Sequence, residues 1–149
     1  MTAKELSEHF GLDKHIENGS FLERHYESAG SERAASGAIY YYVDKNEKTE
    51  FHRIDCDEYW CYIEGADIEV WMIDEKGRLS VSVLGVGNDA EPMLYIKKGT
   101  IFAAKHKNNT TDGTFICCIT VPRFSYTGFE LILQNKLIKK YPLASEFFK

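Results

Sequence analysis

Residues 58–85 read EYWCYIEGADIEVWMIDEKGRLSVSVLG, and their alternation decides the architecture. Within 67–74, Ile68, Val70 and Met72 share one face of an extended chain while Glu69, Trp71 and Ile73 share the other. That is the period of two of a strand. Glu75-Lys76-Gly77-Arg78 forms a hairpin turn, 79–85 alternates again, and 58–65 is a further strand closed by Gly65. The same texture continues outward in AIYYYV (38–43), TEFHRI (49–54), MLYI (93–96), IFAAKH (101–106), TFICCITVP (114–122) and FELIL (129–133). Eight or nine short strands at intervals of about 8–12 residues, with helices only at the ends, imply an all-β barrel or sandwich.

The ends read differently. AKELSEHF (3–10) places Leu6 and Phe10 four apart, with Thr2 and Glu5 spaced for a capping box and Gly11 as a stop. KLIKKYP and LASEFF (136–148) form a helical tail. The segment from His15 to Gly30 is mixed and polar, anchored by Phe21 and Tyr26. With no internal repeat or linker, one domain is expected over residues 1–149.

A net charge of −5 argues against a broad basic face for duplex nucleic acid or a membrane surface. No apolar run reaches the ~20 residues of a membrane span. The first residues lack an apolar signal core, so a cytoplasmic protein is expected. Cys56, Cys61, Cys117 and Cys118 form no Cys-x-x-Cys and read as free thiols. Gly85-Val86-Gly87 lacks the third glycine and following helix of a dinucleotide loop.

Several short motifs then run in order: His15-x-Glu17, Gly19-x-Phe21-x-Glu23, Ala38-Ile39-Tyr40, Phe51-His52-Arg53, Asp57-Glu58-Tyr59-Trp60, Gly65, Leu84-Gly85, Gly99 with Phe102-Ala103-Ala104, Val121-Pro122, Phe124, Phe129-Glu130-Leu131 and the tail LIKKYP (137–142). Together they resemble the cupin superfamily (RmlC-like), and within it the short single-domain Cupin 5 group, a domain of unknown function. The chain departs from that group's pattern at Asn18-Gly19-Ser20-Phe21, at Cys61-Tyr62-Ile63 and at Ile101. The resemblance implies a double-stranded β-helix, or jelly roll, with short terminal helices. It also implies a small-molecule ligand in the barrel and association as a homodimer.

In the wider superfamily two His, a Glu and a later His hold a divalent metal. By that resemblance His52 and Glu58 occupy two of the four positions, while Ile54 and Phe102 replace the others. No cofactor is therefore expected; a divalent metal would need His52, Glu58 and a substitute donor such as Glu23 or His106. The reading without metal makes His52 and Glu58 a bonded pair, because they lie on strands joined by the tight Asp55-Cys56-Asp57 turn. A His beside a carboxylate can carry a proton. Trp60 and Tyr62 share the face of Glu58, Tyr40 and Tyr42 share a face of the preceding strand, and Glu23 is placed at the mouth. Such rings line small-molecule pockets. Arg33, Arg53 and Arg123 are candidate anion forks.

By analogy with related barrels, the expected function is isomerisation or epimerisation of a sugar or sugar nucleotide through His52 and Glu58. The alternative is a non-catalytic binding or sensing cupin. A metal-dependent dioxygenase or decarboxylase is disfavoured by the missing histidines.

Overall fold

The structure, a computed structural model, describes residues 1–26 and 33–149; positions 27–30 of the polar segment read above lie outside them. The chain opens with helix α1 (Ala3–Phe10), capped as its sequence demands. Thr2 N donates to Glu5 Oε2 at 2.7 Å and Glu5 N to Thr2 Oγ1 at 3.2 Å, and Gly11 ends the helix at φ 66°. Among the described residues eleven strands follow: β1 (Asp13–Lys14), β2 (Ser20–Tyr26), β3 (Gly37–Val43), β4 (His52–Arg53), β5 (Asp57–Gly65), β6 (Ile68–Ile73), β7 (Leu79–Leu84), β8 (Met93–Ile96), β9 (Ile101–Lys105), β10 (Thr114–Val121) and β11 (Glu130–Leu131). Helix α2 (Gln134–Lys140) and a 3₁₀ segment (Pro142–Phe148) close the chain. No helix among the described residues is long and apolar enough to cross a membrane.

The strands form two antiparallel sheets, one in the order β1-β2-β3-β10-β5-β8 and one in the order β11-β4-β9-β6-β7. Their facing sides enclose Tyr41, Trp60, Val70, Leu84, Phe102 and Ile116, the arrangement of a jelly roll. The alternation of 67–74 is the reason β6 works as a wall. Ile68 and Val70 point into the barrel, and Ile73 with Trp71 points out beneath Leu137, Ala144 and Phe147 of the C-terminal segment. Helix α1 similarly covers part of the other sheet, laying Leu6 and Phe10 over Tyr40, Tyr42 and Phe115.

Two expectations change here. Tyr40 and Tyr42 do share a face, but it is the outer face under α1; the residue of β3 that enters the barrel is Tyr41. The run 49–54 yields only the two-residue strand β4, because its other polar groups bond to loops and neighbouring backbone. Thr49 Oγ1 accepts from Ala104 N at 2.8 Å, and Ile54 O accepts from Gly99 N at 2.9 Å.

Candidate active site in the barrel mouth

A cavity of about 510 Å³ opens at one end of the barrel, with Glu17, His52 and Glu58 on its walls and Glu23, Arg123 and Tyr126 also lining it. A sharp turn after β1 brings Glu17 there. Asn18 and Gly19 take φ 70° and 71°, conformations that Asn and Gly adopt most easily. A Cβ on Gly19 would lie 2.6 Å from the Tyr41 hydroxyl, so that position has no room for a side chain. His15 N donates to Gly19 O at 3.0 Å, and Glu50 N donates to Glu17 O at 2.8 Å, tying the turn to the chain that enters β4.

The carboxylate so placed meets His52. His52 Nε2 lies 2.7 Å from Glu17 Oε2, the two side chains being 4% and 10% exposed. The other ring nitrogen, Nδ1, is 2.8 Å from Glu50 O; a carbonyl only accepts, so Nδ1 carries a proton. A second proton on Nε2 makes the contact an imidazolium–carboxylate pair. Burial alone would lower the pKa of His52, but the charge and hydrogen bond of Glu17 outweigh it and raise the value. Burial would raise Glu17, yet the charge and hydrogen bond of His52 hold it below the ordinary carboxylate value.

His15 stands in the opposite state. Its Nδ1 accepts from Glu17 N at 3.2 Å, so the single proton of the neutral ring sits on Nε2. Burial depresses its pKa, with the Glu17 charge opposing and the His52 charge assisting. The ring is packed among Phe21, Phe124, Phe129 and Tyr126.

Glu58 approaches from the other sheet. Its Oε1 accepts from Trp60 Nε1 at 2.8 Å, a buried contact set by the period of two along β5. Burial first and the nearby Glu17 charge second push its pKa up to about 7, against the Trp60 bond and the His52 charge. At neutral pH this carboxyl is divided between its acid and its anion, the condition that suits a proton carrier.

At the rim Arg123 grips Glu23 with two bonds, at 3.0 and 2.6 Å, and its guanidinium lies 3.7 Å from the Tyr26 ring centroid. Arg33 braces the segment, donating to Arg123 O at 2.6 Å and to both oxygens of Asp55.

Of the residues expected from sequence, His52, Glu58 and Glu23 line the cavity. Trp60 stands behind Glu58 in the core, and Tyr62 packs on that core with its hydroxyl donating to Gly65 O at 2.6 Å. Tyr40 and Tyr42 are on the outside of the barrel. The expected bonded pair of His52 and Glu58 is replaced by His52 with Glu17. The reason is topological: the Asp55–Asp57 turn makes no hairpin but carries the chain from the five-stranded to the six-stranded sheet. Sequence reasoning passed over the roles of Glu17, His15, Phe124 and Tyr126. His15, Glu17 and Phe124 had a signal, since they stand in the same ordered set of motifs as Glu23.

The matching profile is described as "Cupin superfamily (DUF985)" and covers residues 4–132. The chain belongs to this cupin family. An X-ray structure of a Shewanella oneidensis protein superposes with a TM-score of 0.89 at 25% identity, covering 98% of this chain and 94% of that one. A hypothetical protein from Leishmania major gives 0.84 at 24% identity, with 96% and 94% covered. Oxalate decarboxylase from Bacillus subtilis gives 0.62 at 18% identity over 91% of this cupin but 34% of the decarboxylase, a likeness of fold alone. No curated protein matches.

The donor set of this cupin does not fit the divalent metal of the wider superfamily. Both ring nitrogens of His52 are engaged, Ile54 lines the cavity in place of one imidazole, and Phe102 packs its ring 4.2 Å from the His52 ring centroid in place of another. The substitute donors stand elsewhere: Glu23 is held by Arg123, and His106 Nε2 bonds Thr114 Oγ1 at 2.7 Å. Among the described residues no group of three His, Cys, Asp or Glu side chains is arranged to hold a metal ion.

Proposed function

We propose that this cupin binds a small uncharged polyhydroxy metabolite, a free sugar or close analogue, and moves a proton on it through Glu58. The observation that carries this reading is a carboxyl with a pKa of about 7 on the wall of an aromatic cavity, beside a fixed ion pair. A cavity of about 510 Å³ lies in the ordinary range for small-molecule sites. His52 then acts differently from the sequence expectation. With both nitrogens held it is the positioning residue of Glu17, and the Glu17 charge raises the pKa of Glu58.

Charge selects the ligand class. Glu17 is offset by His52 and Glu23 by Arg123, while Arg33 and Arg53 are paired with Asp55 and Glu130. Each of the three arginines read as anion forks, Arg33, Arg53 and Arg123, already carries a carboxylate partner, which favours a free sugar over a sugar nucleotide. Isomerisation or epimerisation is the reaction class, with His15 Nε2–H as the second exchangeable proton in the cavity wall.

A non-catalytic binding cupin is the second reading. It is favoured by the neutral, depressed state of His15, which makes it a poor acid and a weak base. Exchange of a ligand C–H with heavy water, followed by NMR after a thermal-shift screen of free monosaccharides, separates the two. Exchange that Glu58→Gln abolishes while binding persists is the expected result. Binding without exchange selects the binding module, and no sugar bound at all overturns both.

A further inference from the structure

Cys61 and Cys117 lie on the outside of the barrel and face each other. Cys118 points into the core, so its neighbour Cys117 points out from β10, as the period of two requires. Trp60 likewise points inward and leaves Cys61 on the outer face of β5. In register Cys117 stands opposite Cys61, and Cys61 stands opposite Met93 of β8 on its other side. Three sulfur atoms therefore form a row across three adjacent strands. Both thiols are free and half-buried, and Met93 is 56% exposed.

We propose that Cys117, Cys61 and Met93 form a binding site for a soft monovalent metal ion, Cu(I). Opposed residues of an antiparallel pair hold their Cβ atoms about 4.5–5.5 Å apart. Metal–sulfur bonds of about 2.3 Å join sulfurs up to about 4.6 Å apart. Two thiols standing on such positions reach one ion with no shift of the backbone. Met93 has three rotatable bonds and an open side, so its thioether can swing onto the same ion. Binding forms two thiolate bonds and one thioether bond, and releases the two thiol protons to solvent.

Ligand chemistry selects the ion. Thiolate and thioether sulfurs are soft donors, the set that favours Cu(I). Zn(II) takes four ligands, and among the described residues no His, Asp or Glu joins the two cysteines to extend their set. The surroundings agree. Tyr40 opposes Cys117 on the side away from Cys61, and the next row along the strands is Ile119, Tyr59 and Tyr95, with the two tyrosine rings 5.3 Å apart. The Asp57 carboxylate lies beyond that row and accepts from Lys98 N at 2.9 Å. Cys118, by contrast, opposes Ile39 and Trp60 and packs as a small apolar side chain. The sulfur row is on the opposite side of β5 and β10 from the cavity, so it stands apart from the sugar reading.

Titration of the reduced, metal-free full chain with Cu(I) under argon, in competition with a chromophoric Cu(I) chelator, tests the site. The expected result is one Cu(I) per chain drawn from the chelator, with Zn(II) lost on gel filtration. Cys61→Ser removes the central sulfur and should weaken Cu(I) binding at least about a hundredfold, and Cys117→Ser should do the same. Met93→Leu conserves volume at an exposed position and should weaken binding about tenfold with unchanged circular dichroism. A chain that draws no Cu(I) from the chelator, or binding that survives Cys61→Ser, overturns the site. Wild-type affinity in Met93→Leu overturns the three-sulfur assignment, and Zn(II) retained in preference overturns the choice of ion.

Discussion

Two ion pairs line one cavity and differ in almost everything but charge. His52 and Glu17 meet at 2.7 Å with side chains 4% and 10% exposed, and each is held by backbone on the other side. Arg123 and Glu23 make two good bonds, yet their side chains are 35% and 36% exposed and the guanidinium also rests on Tyr26. Water screens the second pair and can replace either partner; the first is nearly closed to it. The difference assigns the work. The buried pair is a fixed electrostatic floor beside Glu58, whose pKa is raised by burial first and by the Glu17 charge second, and the rim pair is the part that water can exchange with.

Glu17→Gln breaks the floor and should have the largest effect, a loss of about 3 kcal/mol at pH 6 by chemical denaturation. His52 can shed its charge to limit the damage, which keeps the loss at the low end of the range for a broken buried pair. The pH profile is diagnostic. Glu17 is depressed from 4.5, so its stabilisation is present above 4.5 and lost as pH falls through its folded value. His52 is raised from 6.5, so its share is full below 6.5 and lost as pH rises through its folded value. The wild type should show that double-sided profile and the variant should lack it. A variant as stable as wild type would mean the floor is no more than a rim pair out of sight.

How much of this the sequence shows depends on the range of the signal. β6 and β7 were legible because period two is local, and so was the inward set Glu58, Trp60 and Tyr62 on β5. The capping box of α1 was equally local. The partner of His52 was not legible, because Glu17 is 35 positions away and reaches it through a turn whose geometry depends on Asn18 and Gly19 at positive φ. Nor does alternation say which face of β3 is inside. Tyr40 and Tyr41 are both aromatic, and only the packing of Phe10 against Tyr40 settles it. The ordered motifs recovered the family without either fact.

Glu58 tests the link between floor and chemistry, with an effect of intermediate size. Its value is raised from 4.5 to about 7, so the folded state holds its proton longer than the unfolded chain does. Stability should therefore fall as pH rises from 4.5 to about 7 and level off above, by on the order of 3 kcal/mol. Glu58→Gln cannot ionise. Its denaturation midpoint should match wild type near pH 4.5 and exceed it above pH 7, the gap tracing the titration. In Glu17→Gln the negative neighbour is gone, and the midpoint of that curve should move to lower pH. If it stays, the two carboxyls are electrically separate and the floor does not tune Glu58.

The rim should respond least in stability and most in selectivity. Glu23→Gln removes a screened partner, so the melting temperature should stay within the scatter of repeated measurements. The same change leaves Arg123 over Tyr26 without its carboxylate, and a planar guanidinium at a cavity mouth is a natural fork for a phosphate or carboxylate. A monosaccharide phosphate that wild type binds poorly should bind the variant at least about tenfold tighter by calorimetry, with the gain falling as salt is added. Neutral sugars should bind both proteins alike, because nothing at the floor has changed. Arg123→Gln in the same background should remove the gain, which places it on the guanidinium rather than on a wider mouth. If Glu23→Gln instead destabilises the fold as Glu17→Gln does, exposure is a poor guide to the two pairs and the rim is as rigid as the floor. If stability holds but no anion gains affinity, Arg123 is a strut for the Tyr26 ring, and the preference for uncharged ligands must come from Glu17 and Glu58 alone.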